Sequence, residues 1–364
     1  MVDIGIIGLA RSGKTSLFNA MTRGTAAVGA YSSKSEPNVG VVRVPDARVD
    51  ALAALYKPKK TTYAEVRFVD YPVSGFGAEG PAAKYLAELA GMDALVHVVR
   101  AFEDDAVPHP DQSVDPNRDA EALNLELTFA DLALIERRLT RIEAEMRSVR
   151  AADRAPLDRD RALMERLKGV LEAGEAVRSV SLTEEESKAL SAYQFVTRRP
   201  VLLVVNIGES QLADAEAIER EFASKHAGPG VAVVALCAKI EAELATMEPA
   251  DALEFRRDLG LPEASPLDRA IREAYALLDL QSFLTAGDDE CRAWTVRRGS
   301  SAPEAAGKIH SDLEKGFIRA EVARWDELVE AGSLAELKKR GRLHVEGKTY
   351  IVQDGDVVNI LFNL

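Results

Sequence analysis

Four short runs of apolar, mostly β-branched residues recur along the first two thirds of the chain, at positions 4–7, 94–99, 201–205 and 231–235. Runs that are apolar at almost every position suit strands covered on both faces, and so predict a parallel α/β sheet with helices between its strands. Two further strands are expected at 39–44 and 64–69. Near residue 121 the period changes. Leu125, Thr128, Leu132, Ile135, Leu139, Ile142, Met146 and Val149 alternate spacings of three and four, the seam of a coiled coil. After a break at 151–156, Met164, Leu167 and Leu171 repeat the spacing. This predicts an antiparallel helical hairpin, inserted between two sheet strands and projecting as an arm. The sheet pattern resumes near 200 and fades after a helix at 268–278. The last stretch mixes short strands at 292–296, 348–352 and 357–362 with a helix at 302–311, which predicts a small α+β domain. The expected division is therefore 1–120 with 196–280 as one domain, 121–195 as the arm, and 281–364 as the last domain.

Composition narrows the classes. Of the 364 residues 47% are apolar and 29% charged, the balance of a soluble globular chain. The longest apolar runs are five to seven residues, far short of the roughly 20 needed to span a bilayer. No membrane association is expected. The N-terminus runs straight into a strand instead of a basic and apolar leader. Cys237 and Cys291 are the only cysteines, which excludes a disulfide framework and predicts a reduced, cytoplasmic setting. The net charge of −13 argues against broad electrostatic binding to nucleic acid or an anionic membrane. Residues 281–364 carry 12 basic and 14 acidic side chains, with local basic clusters at Arg297-Arg298 and at 338–340.

Chemistry enters at residues 8–15, Gly-Leu-Ala-Arg-Ser-Gly-Lys-Thr, which fit the phosphate-loop pattern G-x-x-x-x-G-K-[ST] at every fixed position. Gly8 and Gly13 let backbone N–H groups curl around phosphate oxygens that Cβ atoms would obstruct. Lys14 supplies a point charge to the β- and γ-phosphates, and Thr15 a hydroxyl for Mg²⁺. The helix that follows aims its positive end at the anion. With a strand before the motif and a helix after it, Gly8, Arg11, Ser12, Gly13, Lys14, Thr15 and Ser16 are the expected phosphate-binding set. Asp70, at the end of an expected strand, joins Thr15 as the second group at the metal, held through water.

Longer stretches carry a resemblance. Residues 36–42 read Glu-Pro-Asn-Val-Gly-Val-Val, 96–105 Val-His-Val-Val-Arg-Ala-Phe-Glu-Asp-Asp, and 206–209 Asn-Ile-Gly-Glu. Similar stretches occur at 238–244, 283–287, 292–296, 316–322 and 353–357. Together these resemble, nearly end to end, the YchF-type Obg-like ATPases among the translation-factor-related GTPases. The resemblance implies a Ras-like G domain, a coiled-coil arm and a C-terminal TGS domain of β-grasp fold. It implies that Asn206 and Glu209 stand where guanine-specific GTPases have N-K-x-D, with Cys237, Ala238 and Lys239 as the base loop, and that ATP is preferred over GTP. Guanine offers a carboxylate two donors, N1–H and the 2-amino group, and adenine offers neither. His109 matches the histidine placed near the γ-phosphate, and the ribosome or another RNA-containing partner is implied as well.

The chain departs from that family at its catalytic end. Ala10, Arg11 and Ser12 replace Pro-Asn-Val in the phosphate loop. Lys34, between Ser33 and Ser35, stands at the switch I threonine position. The D-x-x-G of switch II becomes Asp70-Tyr-Pro-Val73, with the next glycine at Gly75. Arg11 has five donors and no acceptor, so it cannot ligate a metal ion, but it can place its own charge against phosphate. A slow ATPase with His109 and Arg11 as catalytic residues is therefore the expected function. The alternative is a nucleotide-sensing binding protein with little hydrolysis. The oligomeric state is open at this level.

Overall fold

The structure is a computed structural model and describes residues 2–24, 37–71 and 83–363. The substitutions at Lys34, Val73 and their neighbours Ser33, Ser35, Pro72 and Gly75 lie outside the described residues. In chain order the elements are β1 (Val2–Ile7), α1 (Lys14–Thr22), β2 (Asn38–Arg43), α2 (Ala47–Tyr56), β3 (Lys60–Thr62), β4 (Glu65–Asp70), α3 (Ala83–Ala90), β5 (Ala94–Arg100), α4 (Pro116–Ser148), α5 (Ala155–Glu172) and α6 (Glu184–Leu190). Next come β6 (Val201–Asn206), α7 (Ala215–His226), β7 (Val231–Leu236), α8 (Ala238–Ala245), α9 (Pro249–Asp258) and α10 (Pro266–Ala276). The chain ends with β8 (Leu280–Thr285), β9 (Glu290–Arg297), α11 (Ala302–Ile309), α12 (Ser311–Lys315), β10 (Phe317–Arg324), α13 (Trp325–Ala331), α14 (Leu334–Lys339), β11 (His344–Glu346) and β12 (Asp356–Phe362).

Six strands form the first sheet in the order β2-β4-β1-β5-β6-β7. The pairs β1–β5, β5–β6 and β6–β7 are parallel. Every residue of β5 and β6 is buried, as their largely apolar runs lead one to expect, and the buried set includes the polar His97, Arg100 and Asn206. The crossover order brings the carboxyl ends of β1, β4, β5 and β6 to one edge, where ligands bind in open α/β sheets. Helices α3, α7 and α8 and the start of α4 cover the sheet around a core that includes Leu89, Leu95, Val205, Phe222 and Ile240.

Helix α4 begins at Pro116, five residues before the expected start. Asp115 caps it by accepting from the N–H groups of Asn117 and Arg118, and Pro116 occupies the first turn, where its missing N–H costs nothing. One helix serves two environments. Ala120, Leu123 and Leu127 pack into the sheet core, whereas Ile135 and Ile142 pack against Leu163, Met164, Leu167 and Leu171 of α5. The buried stripe therefore shifts along the helix. Leu125, expected on the seam, is half exposed, and so is Phe129. At the root of the hairpin the buried Asp131 carboxylate accepts from the backbone N–H of Val196 and Thr197 and from the Thr197 hydroxyl. The Arg178 guanidinium donates to the carbonyls of Thr197 and Arg199.

The second compact unit joins Leu278–Leu364 to Val42–Val66, a segment that falls within 1–120 of the expected division. The link is made by β3, which adds in parallel to the edge strand β9. The sheet runs β11-β10-β12-β8-β9-β3. β8 and β9 are a hairpin, β12 lies parallel to β8, and α11 packs Ala302, Ala305 and Ala306 against Phe283, Val296, Phe317 and Val358. A hairpin, a crossing helix and a last strand parallel to the first make a β-grasp. The strand expected at 348–352 is not formed. The chain turns at 347–350 and then makes a single bridge, Ser301 with Ile351, while Tyr350 and Val352 turn into the core.

Candidate nucleotide site

The chain leaves β1 at Ile7 and enters α1 at Lys14 through a loop whose geometry only certain residues permit. Gly8 has φ +152°, and a Cβ there would lie 2.4 Å from the Val98 carbonyl oxygen. Gly13 has φ +94°, and its Cβ would lie 2.2 Å from the Asn206 side-chain nitrogen. Arg11 holds φ +62° without being glycine, a left-handed conformation that costs about 1 kcal/mol. The Ser12 side chain is buried and its Oγ has no hydrogen-bond partner.

Lys14 folds over this loop. Its ammonium donates to the carbonyls of Gly8 and Leu9, at 2.9 Å each. Burial pushes its pKa down to about 8, with the nearby Asp70 carboxylate opposing. Beside it the Thr15 hydroxyl donates to Asp70 Oδ2 at 3.0 Å, and the Asn38 amide donates to the same oxygen at 3.2 Å. The second oxygen, Asp70 Oδ1, is buried without a partner. Burial raises the Asp70 pKa, and the Asn38 and Thr15 hydrogen bonds and the Lys14 charge oppose the shift. Ser16 follows, half-buried, in the first turn of α1.

The two residues expected to be catalytic are otherwise engaged. His109 is buried. Its Nδ1 accepts the Asp111 N–H, which leaves Nε2 as the donor to Asp119 Oδ2 at 2.7 Å. Arg118 donates to the other Asp119 oxygen at 2.8 Å. Arg11 donates to the Pro108 carbonyl at 2.8 Å and is exposed. Both side chains thus brace the loop at 102–112. Arg100 braces the same loop from beneath, donating to the carbonyls of Phe102 and Val107, with its guanidinium 4.3 Å from the centre of the Phe102 ring. Burial lowers the Arg100 pKa, and Arg11 adds to the effect.

On the base side, Asn206 is a strut. Its amide donates to the Ser12 carbonyl at 2.9 Å and its oxygen accepts the Ala238 N–H at 3.0 Å. The Ala238 amide is thus engaged by Asn206. Glu209 and Lys239 form an exposed ion pair at 2.7 Å. Cys237 is buried ahead of α8. Burial pushes its thiol pKa up, opposed by the N–H groups of Ile240 and Lys239. Phe102 lies within van der Waals reach of a Cβ built on Gly13 or on Gly208.

The phosphate-loop, Asp70 and base-loop residues come together at one sheet edge. Sequence reasoning missed Asn38, Arg100, Phe102 and Asp119. Asn38, Arg100 and Phe102 sat inside stretches already singled out, but nothing in one dimension shows that Asn38 faces Asp70. Among the described residues there is no cluster of three or more His, Cys, Asp or Glu that could hold a metal ion by itself. Among the described residues no helix is long and apolar enough to cross a membrane.

Comparison with known proteins gives the family and the fold. Residues 280–363 match the family described as "YchF-GTPase_C: Protein of unknown function". Over 99% of both chains the protein is 41% identical to the ribosome-binding ATPase YchF of Bacillus subtilis and 41% identical to that of Haemophilus influenzae. It is 39% identical to the Escherichia coli O157:H7 relative, again over 99% of each. The solved YchF GTPase of Schizosaccharomyces pombe superposes with a TM-score of 0.84 at 27% identity, covering 99% of this chain and 97% of that one.

Proposed function

Since the chain belongs to the YchF family, we propose that it is an ATP-binding P-loop protein that associates with the ribosome and hydrolyses ATP slowly. The carrying observation is a cradle with its donors and acceptors arranged for a triphosphate. Lys14 rests on two backbone carbonyls, a stand-in that phosphate oxygens replace with charge-assisted bonds. Ser12 Oγ and Asp70 Oδ1 are buried around it with no partner among the described residues, and such groups are costly unless a ligand satisfies them.

Mg²⁺ fits the same place. The Thr15 hydroxyl and the Asp70 carboxylate would hold it, Asp70 through a metal-bound water. Two oxygen side chains are enough, because Mg²⁺ keeps several waters and takes the rest of its shell from phosphates. It would supply charge neutralisation at the β- and γ-phosphates.

The base preference rests on the Glu209–Lys239 pair. An acceptor and a donor side by side complement the adenine edge, where the 6-amino donor lies next to the N1 acceptor. Guanine presents two adjacent donors, which a lone carboxylate serves better. Asn206 holds the loop that carries this pair. Slow hydrolysis fits the engagement of His109 by Asp119 and of Arg11 by Pro108, since each must let go before it can meet a phosphate or a water.

Ribosome association is what the relatives' names state. The basic clusters support a shape-specific contact over general attraction to RNA. Arg298 pairs with Asp279, Lys339 with Glu336, and Arg340 with Glu336 and Glu330, so much of the positive charge there is compensated locally. The deciding experiment is titration calorimetry with ATP and GTP, with hydrolysis followed in the same samples with and without ribosomes. Absence of ATP binding sinks the proposal.

A further inference from the structure

We infer that Asn38 is a positioning residue for the metal carboxylate, and that it sets how tightly Mg²⁺ is held with the nucleotide. The inference rests on the nucleotide-site reading above and extends it to a residue with no phosphate or metal role in the loop pattern. Asp70 Oδ2 receives two neutral donors, Thr15 Oγ1 at 3.0 Å and Asn38 Nδ2 at 3.2 Å. Asp70 Oδ1 receives none and is buried. The carboxylate is thus pinned by one oxygen while the other is left to accept from a metal-bound water.

The chemistry explains why an amide stands at position 38. The Asn38 oxygen cannot face a carboxylate, because two acceptors repel, so the nitrogen must be the group that turns to Asp70. A Thr15 hydroxyl can offer a lone pair to a metal and still donate its proton to Asp70. Both donors therefore stay on Oδ2 when the metal site is filled, and the orientation is prepared in advance. Among the described residues, Lys14 is the remaining charge that acts on Asp70, and it acts through space. With Asn38 shortened, only the Thr15 hydroxyl would fix the rotation of the carboxylate. Asn38 opens β2, so the same contact ties the start of that strand to the end of β4.

The test uses a fluorescent ATP analogue at fixed concentration and MgCl₂ as the titrant. Asn38→Ala is expected to raise the Mg²⁺ concentration for half-maximal nucleotide retention by about tenfold, while affinity measured in EDTA stays within about twofold of wild type. Val39→Ala, exposed on the same strand, is the control and should shift neither, and thermal melting without nucleotide establishes that each variant is folded. An unchanged Mg²⁺ midpoint for Asn38→Ala overturns the inference. So does an equal loss of affinity in Mg²⁺ and in EDTA, which assigns Asn38 to the scaffold alone. Wild-type binding that ignores Mg²⁺ overturns the metal site itself, and the inference with it.

Discussion

His109 Nε2 lies 2.7 Å from Asp119 Oδ2, and neither side chain is more than 5% exposed. Nδ1 of the same ring is taken by the Asp111 N–H, so the imidazole works here as a latch on the loop before α4. Among the described residues, His109→Ala should leave Asp119 with Arg118 as its side-chain partner and lower stability by about 1–2 kcal/mol. Urea unfolding with an unchanged slope checks this. A loss within the scatter of surface substitutions would show that the latch carries nothing.

Lys14 gives a pH signature of known sign. Burial holds its pKa near 8 in the folded protein, against 10.5 in an unfolded chain. Between those values the unfolded state keeps a proton that the folded state has released, so stability rises with pH across that window. Lys14→Met should flatten the rise. Triphosphate binding runs the other way, because the phosphates need the ammonium. ATP affinity should fall as pH climbs past 8, with proton uptake measurable by calorimetry in buffers of different ionisation enthalpy. At neutral pH, Lys14→Ala should weaken ATP binding at least about tenfold.

Asn206 and Glu209 should separate in mutagenesis although they share a motif. Asn206→Ala removes both buried hydrogen bonds between the phosphate loop and α8. It is expected to weaken ATP and GTP by the same factor, about tenfold or more. Glu209→Asp touches only the exposed pair with Lys239 and should move the ATP-to-GTP ratio towards GTP. Parallel titrations decide it, and an Asn206 variant with altered preference would return that residue to base reading.

The arm should be separable from the site. Leu167→Ala opens a cavity beside Ile135, Met164 and the other apolar side chains of the hairpin core and should cost roughly 2–5 kcal/mol. ATP affinity at saturating stability should not change. Denaturation and nucleotide titration of the same preparation give both numbers.

The β-grasp unit needs more than its own stretch of chain. β3 covers the edge of β9, and Arg48 bridges Asp46 and Asp354. A fragment of residues 278–364 should therefore melt at a lower temperature than one supplied with 42–66, and should aggregate through the bared β9 edge. Equal melting curves would restore the simpler view that 281–364 stands alone.

Much of this was legible in one dimension. The largely apolar runs of β5 and β6 announced a sheet covered on both faces, and the glycine spacing at 8–15 announced the loop. The start of α4 was misjudged because its cap, Asp115-Pro116, stands five residues ahead of the heptad pattern. The excursion at 42–66 left no signal, since three residues of β3 are too few to show a period, and their partner β9 lies more than 200 residues away. His109 shows a different limit. Its position was read from a resemblance, but its partner Asp119 is fixed by the turn between them, which spacing does not encode.

Gly13 and Asn206 constrain how this site can change over generations. A side chain at 13 meets the Asn206 amide at 2.2 Å, and loss of Asn206 unties the loop that the glycine permits. Each single replacement passes through a protein that holds its nucleotide less tightly, so the two positions are coupled and neither drifts freely alone. Variation that alters the preferred base is left to positions such as Glu209 and Lys239, whose exposed ion pair can be exchanged one residue at a time. A lineage could therefore switch purines while the strut beneath stayed untouched.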